Sequence, residues 1–364
     1  MVDATQDVSA VVEQTYNGQP AAYSGITPAN GPGSLGWERA GPTLYVPIVK
    51  KNWYGRWSKI YIVNTGSQST TVTVAYYNPN GTAYNGGSYA LAPNGQLNII
   101  LAIAAIPENK YAAVIHSSNG QPLAAVVREG DGVDARIRPS AFNAFSSGNT
   151  TLYSVLVKKN FSGHTTGLVL QNLGGPASGQ ALYCDRDGNC PYSVSFSNIP
   201  PYTIYTVYNP SQVPDGFSGS VRVTSNQPMI GIAAETNEIG GRRAVNNLLV
   251  EGKTTIVFPH WYNDYWSGGH QWLSGTAVRN AGSSTTVMAN WYNQNGTLVH
   301  TANTALGTND SFVFSKYTVS MLPSPFAGSL VLSTTNGQPI VATENTRDLA
   351  GSDDTLMSIS GSHR

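Results

Sequence analysis

One strand-turn-strand motif occurs three times in this 364-residue chain at a fixed interval. It is clearest as Ile60-Tyr61-Ile62-Val63, the turn Asn64-Thr65-Gly66-Ser67, the strand Thr71-Val72-Thr73-Val74-Ala75-Tyr76-Tyr77, and the tip Asn78-Pro79-Asn80-Gly81-Thr82. Thr71 to Tyr77 alternates polar and apolar side chains, which is the period of a strand with one buried face. Asn-Gly supplies the positive φ that a tight hairpin requires. The motif returns at Val169-Leu170-Gln171-Asn172 and at Ala277-Val278-Arg279-Asn280, so Asn64, Asn172 and Asn280 fall 108 residues apart each time. The tip returns as Asp185-Arg186-Asp187-Gly188-Asn189 and Asn293-Gln294-Asn295-Gly296-Thr297. A chain built this way folds as three similar units in tandem. Each has about 100 residues, enough for a small apolar core.

The remaining strands fall into the same frame. The units open with Leu44-Tyr45-Val46-Pro47-Ile48-Val49-Lys50-Lys51, Leu152-Tyr153-Ser154-Val155-Leu156-Val157-Lys158-Lys159 and Thr255-Ile256-Val257-Phe258-Pro259-His260-Trp261. Pro47 and Pro259 each remove a ladder donor, which places the opening strand at a sheet edge. The units close, after turns carrying Gly120-Gln121-Pro122, Asn226-Gln227-Pro228 and Gly337-Gln338-Pro339, with strands ending near Glu129, Glu235 and Glu344. About seven short strands per unit, with no helical period, is the pattern of an immunoglobulin-like sandwich; a closed barrel is the alternative. The expected fold is all-β. It comprises three tandem Ig-like antiparallel β-sandwich domains at 43–150, 151–253 and 254–364, preceded by an extra N-terminal strand and linker at 1–42. Over residues 43 to 345 the layout resembles the tandem Ig-like repeats of bacterial cell-surface and secreted matrix proteins. That resemblance implies an extracellular structural role.

The N-terminal part holds one strand too many. Val11-Val12-Glu13-Gln14-Thr15 matches the three closing strands, and Ala22-Tyr23-Ser24-Gly25-Ile26 echoes Ser140-Ala141-Phe142-Asn143-Ala144 and Ala244-Val245-Asn246-Asn247-Leu248. Three accounts fit: a cut repeat array, a permuted repeat, or a strand (Val8, Ala10, Val11, Val12, Glu13) that adds to the sheet of another copy. The third account makes a head-to-tail homopolymer, because a heterologous contact that does not close grows into a filament. Met1-Val2-Asp3-Ala4 lacks the basic and apolar regions of a signal peptide, so the expectation is a processed chain or a fragment.

Charged residues make up 11% of the chain and the formal net charge is zero, which argues against nucleic acid and against an electrostatically held membrane surface. No apolar run reaches the roughly 20 residues of a spanning helix. Cys184 and Cys190 flank the second hairpin tip, within disulfide reach of each other; such a bond belongs outside the cytosol and contributes about 2 kcal/mol.

Several constellations hold residue types that can carry chemistry. Glu13, Glu129, Glu235 and Glu344 stand one per unit, which reads as a repeat feature (a turn contact or interface pairing) rather than a catalytic pair. Asp185-Arg186-Asp187-Gly188-Asn189 resembles part of a calcium loop, but its counterparts carry Asn, and a turn is the better reading. Lys50, Lys51, Lys158 and Lys159 read as charges that blunt an edge strand, with crosslinking to Asn237 or Asn345 as a minor idea. Trp53, Trp57, Trp261, Tyr265, Trp266 and Trp272 are candidate ligand-binding aromatics for a carbohydrate, set against a packing role. His260 and His270 lack a third zinc ligand. No nucleophile elbow, phosphate loop or dinucleotide fingerprint is present. The expectation is a non-enzymatic extracellular structural or filament protein with no cofactor and no metal, and a glycan-binding adhesive module is the alternative.

Overall fold

The computed structural model describes residues 11–16, 19–24, 40–132, 137–237, 243–350, 356–360 and 362–363. It is all-β; among the described residues every strand pairs antiparallel and the single 3₁₀ turn is Leu101–Ile103. Among the described residues no helix is long and apolar enough to cross a membrane. Val8 and Ala10 of the proposed assembly strand lie outside the described residues.

The chain begins with a hairpin, β1 (Val11–Tyr16) and β2 (Gln19–Ser24), and three segments follow. The first contains β3 (Thr43–Lys51), β4 (Arg56–Asn64), β5 (Thr70–Tyr77), β6 (Ala83–Leu91), β7 (Gln96–Ile100), β8 (Asn109–Ser117), β9 (Leu123–Asp131) and β10 (Ile137–Asn143). The second contains β11 (Asn149–Lys159), β12 (His164–Asn172), β13 (Ala177–Cys184), β14 (Tyr192–Ile199), β15 (Ile204–Val207), β16 (Phe217–Asn237) and β17 (Arg243–Asn247). The third contains β18 (Thr255–Asn263), β19 (Tyr265–Ser267), β20 (His270–Asn280), β21 (Thr285–Asn293), β22 (Leu298–Leu306), β23 (Ser311–Phe314), β24 (Phe326–Thr334), β25 (Ile340–Asp348), β26 (Leu356–Ser360) and β27 (Ser362–His363).

Each segment packs two sheets over one apolar layer. In the first, a front sheet ordered β3-β8-β5-β6 faces a back sheet ordered β10-β9-β4-β7. Thr70, Val72, Val74 and Tyr76 point into the layer, while Thr71 and Thr73 face out, as the alternation of this strand requires. They meet Val46, Ile60, Ile62, Ile115 and Val127, all fully enclosed. Each such side chain contributes roughly 1.5–3 kcal/mol by leaving water. The opening strand β3 lies at the edge of its sheet, and Pro47 falls in the register break between Val46 and Val49, where no ladder donor is needed. Pro259 occupies the matching break between Phe258 and Trp261.

Segments two and three repeat the pairing, with two departures. In segment three β27 pairs with β18 at Ile256 and Val257, so the opening strand there is not at the sheet edge that Pro259 predicts. At Asn226-Gln227-Pro228 the expected turn is a bulge inside one long strand: β16 pairs with β11 at Thr224 and again at Met229, five residues on β16 against two on β11. The side chains there brace the neighbouring turn, as Gln121 and Gln338 do in the other segments: Gln227 Oε1 accepts from the Gly175 amide at 3.2 Å and Asn226 Oδ1 from the Ser178 amide at 2.7 Å.

The 108-residue marker has one structural job. Asn64 Nδ2 donates to the carbonyls of Gln68 and Leu91 at 2.8 and 3.2 Å, while its Oδ1 accepts from the Gly66 amide at 2.9 Å. Asn172 makes the same set with Gly175, Ile199 and Gly174, and Asn280 with Ser283, Leu306 and Gly282. All three are fully buried. A short amide with two donors and an acceptor pins a turn whose buried carbonyls would otherwise go unpaired.

Candidate assembly interface

Successive segments join in one recurring way, the front of one against the back of the next. At the first joint, Tyr202 stacks on Tyr45 with ring centroids 6.4 Å apart and tilts against Tyr77 at 5.3 Å. Gln171, fully buried, donates to the Tyr202 carbonyl at 3.2 Å and faces the Ala113 carbonyl of the preceding segment. Lys110 donates to Thr206 Oγ1 at 3.2 Å, and burial lowers its pKa. At the second joint, the fully buried Arg279 takes the place of Gln171. Its guanidinium lies over the Tyr153 ring at 5.4 Å and donates to Asn309 Oδ1 at 2.8 Å. Burial brings its pKa down to about 10. The hairpin tip of segment two reaches across as well: the Ser311 amide donates to the Arg186 carbonyl at 3.0 Å, and a Cβ at Gly188 would stand 2.7 Å from the Thr308 carbonyl oxygen. Only glycine fits there.

Each end of the series presents an unused half of this joint. On the back of segment one, Tyr61 and Val63 stand where Val169 and Gln171, then Ala277 and Arg279, stand in the later segments. Those four are buried, whereas Tyr61 and Val63 are partly exposed. On the front of segment three, Val257 and Tyr292 occupy the places of Tyr45 and Tyr77 and are partly exposed, and a Cβ at the Gly296 tip would meet nothing within 4 Å.

The closing hairpins form the second element. Glu129 pairs in register with Ser140, Glu235 with Ala244, Glu344 with Ile359, and Glu13 with Ala22. The similarity read between these stretches is therefore an in-register structural match. Strand β2 packs on β10 and on β26, and β17 packs on both as well, so the four return strands close a cycle. Asn247 Nδ2 donates to the Asn143 carbonyl at 3.1 Å within it. Val11, Val12 and Glu13 pair with Ser24, Tyr23 and Ala22 of their own chain, which gives this stretch a partner in cis.

The glutamates and lysines correct two expectations. Lys50 Nζ lies 2.9 Å from Glu129 Oε2 and Lys158 Nζ lies 2.7 Å from Glu235 Oε1. These pairs sit inside their own segment, and the lysines blunt no exposed edge. Lys51 and Lys159 turn inward as well, donating to the carbonyls of Ala104 and Ile106 and of Pro210 and Val213. His164 Nδ1 lies 2.8 Å from Glu235 Oε1. Burial pushes the Glu235 carboxyl up, but His164 and Lys158 outweigh it and hold the pKa below the ordinary value. In segment three Tyr262 stands in the lysine position. Glu344 there accepts from Ser274 Oγ at 2.8 Å and Thr346 Oγ1 at 3.0 Å, with His260 Nε2 at 3.4 Å. Burial brings the His260 pKa down to about 4. Asn237, named for crosslinking, bonds to His164 instead.

The aromatic set disperses. Trp261 is fully enclosed, edge-on to Trp291 at 5.5 Å, and donates to Thr276 Oγ1, so it offers no ligand surface. Trp53, Trp57, Tyr265 and Trp272 are half-buried; Tyr265 stacks on Tyr262 and Lys110 lies over Trp53. Trp266 alone of the six is exposed. Cys184 and Cys190 are joined by a disulfide. Asp185 Oδ1 accepts from the amides of Asp187 and Asn189, as a turn requires, and the described residues hold no cluster of three metal-ligating side chains.

Sequence reasoning did not single out Gln171, Arg279, Tyr45 or Tyr202 as joint residues. The available signal was the residue before each marker asparagine, which changes from Val63 to Gln171 and Arg279 on an outward position.

No family model matches the chain, and no curated protein matches it. Among solved structures, Thermotoga maritima 1070 is 15% identical with a TM-score of 0.26, over 31% of this chain and 96% of that one. A glycosyl hydrolase family 2 member from Bacteroides cellulosilyticus is 10% identical with a TM-score of 0.15, over 58% of this chain and 28% of that one. A glycoside hydrolase family 32 protein from Bifidobacterium adolescentis is 9% identical with a TM-score of 0.18, over 88% and 96%. At these scores none bears on function.

Proposed function

We propose that the chain is a non-enzymatic structural subunit of an extracellular assembly, built from three tandem Ig-like β-sandwich units and joined to its neighbours by sheet faces and strand edges. The observation that carries this reading is the joint used twice within the chain and left half-made at both ends, with Tyr61 and Val63 on one side and Val257 and Tyr292 on the other. The two end faces are the unlike halves of a joint already used within the chain, so they are complementary to each other head to tail. The Cys184–Cys190 bond fits an oxidising location. Of the six aromatics expected to bind a glycan only Trp266 is exposed; the other exposed rings, Tyr54, Phe161, Tyr208 and Tyr317, lie outside that set.

Sedimentation velocity over a concentration series, with negative-stain microscopy, tests the reading. Association is expected, and Val63→Arg or Tyr292→Arg should each return the chain to monomer. A chain that stays monomeric at every concentration, both alone and with a strand-donating peptide, sinks it.

A further inference from the structure

The exposed apolar side chains are not scattered over the three segments. Each sandwich has a marker end, where Asn64, Asn172 or Asn280 pins its turn, and a loop end, where the opening strand turns back. At the loop end a first loop follows the opening strand and carries Tyr54, Phe161 or Trp266, all exposed. A second loop follows β7, β15 or β23 and carries Ile103, Tyr208, or Tyr317 with Met321, again exposed. The two loops lie side by side. Lys51 donates from the base of the first to the Ala104 and Ile106 carbonyls of the second, Lys159 to those of Pro210 and Val213, and Lys316 of the second to Asp264 of the first. Among the described residues none of the exposed large apolar side chains stands at the marker end, where Ser67, Gln68, Ser118 and Asn119 meet water.

The three loop ends face the same way. At the first joint Tyr45 meets Tyr202 near the marker ends, while Lys110, which lies over Trp53, reaches Thr206 near the loop ends. Like end therefore meets like end. The second joint repeats the first, with the Gly188 tip against Thr308 and Asp310 as the Gly81 tip is against Pro200 and Thr203. The first loops are also held in one manner, since Asn52, Asn160 and Asp264 share a left-handed backbone at the same place.

We infer that the loop end docks on a lipid bilayer with zwitterionic headgroups, its apolar loops at the interface and its marker end toward water. The side chains select lipid. Ile103 and Met321, 82% and 88% exposed, have no ring to stack on a sugar, but they gain by leaving water among acyl chains. Tyr and Trp combine an apolar body with a polar edge and settle at headgroup level. Loops on three bodies that face one way suit a flat partner better than a single guest. Charge selects the headgroup. Arg56 pairs with Asp131, Lys159 with Asp215 and Lys316 with Asp264, so this end lacks the basic excess that draws a protein to anionic lipid. The hold is apolar, in keeping with a chain of zero formal net charge. The inference is independent of the joint faces, because Tyr61, Val63, Val257 and Tyr292 lie on strands and not in these loops.

The test is flotation of the full chain with phosphatidylcholine vesicles. The chain should float with them, and its affinity should change by less than about twofold between low and high salt, since no screened charge holds it. Tyr54→Ser, Trp266→Ser and Tyr317→Ser, all at exposed positions, should each weaken binding about tenfold, and the triple variant a hundredfold or more. Brominated lipid should quench tryptophan emission in the parent, and Trp266→Phe should lose most of that quenching while still floating. Four results overturn the inference: no flotation, flotation that needs phosphatidylserine and fails in salt, a triple variant that floats like the parent, or a dimer built through these loops in place of vesicle binding. A chain that associates through its joint faces but does not float loses only this inference. The structural reading falls on sedimentation without vesicles, whatever the vesicles show.

Discussion

The buried glutamate of segments one and two and that of segment three share a backbone position but solve its electrostatics differently. Glu129 and Glu235 each face a lysine from the opening strand, whereas Glu344 is held by two hydroxyls and a neighbouring histidine. The constant requirement is that a carboxylate taken out of water be compensated; the partner is free to change. Tyr262 replaces the lysine, and Ser274, which also accepts from the Tyr262 amide at 3.1 Å, takes over as donor. The sequence repeat preserves the acid and lets the base drift, so charge is not what the repeat conserves.

The largest expected effect breaks the comparison at its strongest pair. Lys50→Met leaves Glu129 enclosed without its cation and should cost about 3–5 kcal/mol in denaturant unfolding, with most of it recovered in the double variant Lys50→Met/Glu129→Leu. A loss no larger than that of a surface substitution would mean the two solutions are equivalent.

Acid separates the segments next. The folded-state pKa of His260 is depressed to about 4 from an ordinary 6.5, so below about pH 6.5 the unfolded chain binds a proton that the folded one refuses. Stability is full above that value and falls as the pH approaches 4, by on the order of 3 kcal/mol. Glu235 has a lowered pKa, so its contribution is present above the ordinary carboxylate value and is lost only as the pH falls through its lower folded value. Segment three should therefore loosen in mild acid while segment two holds, read as amide exchange resolved by segment. His260→Gln should flatten the difference, and a profile that does not change in that variant would refute it.

Two smaller tests sharpen the contrast. Removing the disulfide with Cys184→Ser and Cys190→Ser should cost segment two about 2 kcal/mol by the loop-closure model, read as a lowered unfolding midpoint under non-reducing conditions. Glu344→Gln keeps an acceptor for Ser274 and Thr346 and should cost about 1 kcal/mol or less at neutral pH, well below the same change at Glu129.

Much of this architecture is legible in the chain because period-2 alternation and turn chemistry are local. Thr71 to Tyr77, the asparagine markers and the glycines of the hairpin tips announce their own geometry. The in-register match of Glu13-Ala22 with the three later hairpins was visible as well, since a strand and its return strand repeat together. The interior placement of Lys50 and Lys158 was not visible, because an opening strand read alone gives no sign that a glutamate about 78 residues later closes over it. Trp261 misled for a related reason: an aromatic-rich stretch looks like a surface until Trp291, on another strand, is seen to enclose it. The bulge inside β16 was not legible, because Asn226-Gln227-Pro228 reads as a turn between two strands until β11 is seen to pair on both sides of it.

That long strand has a mechanical consequence. In segment two the same 21 residues run from the sheet that meets segment three to the hairpin at the hub. The slack between its two sheets is the bulge from Thr224 to Met229, and Gln227, bonded to the Gly175 amide, ties it down. Gln121 and Gln338 hold the matching stretches of the neighbouring segments, so a pull on any of the three meets one amide contact before the backbone straightens.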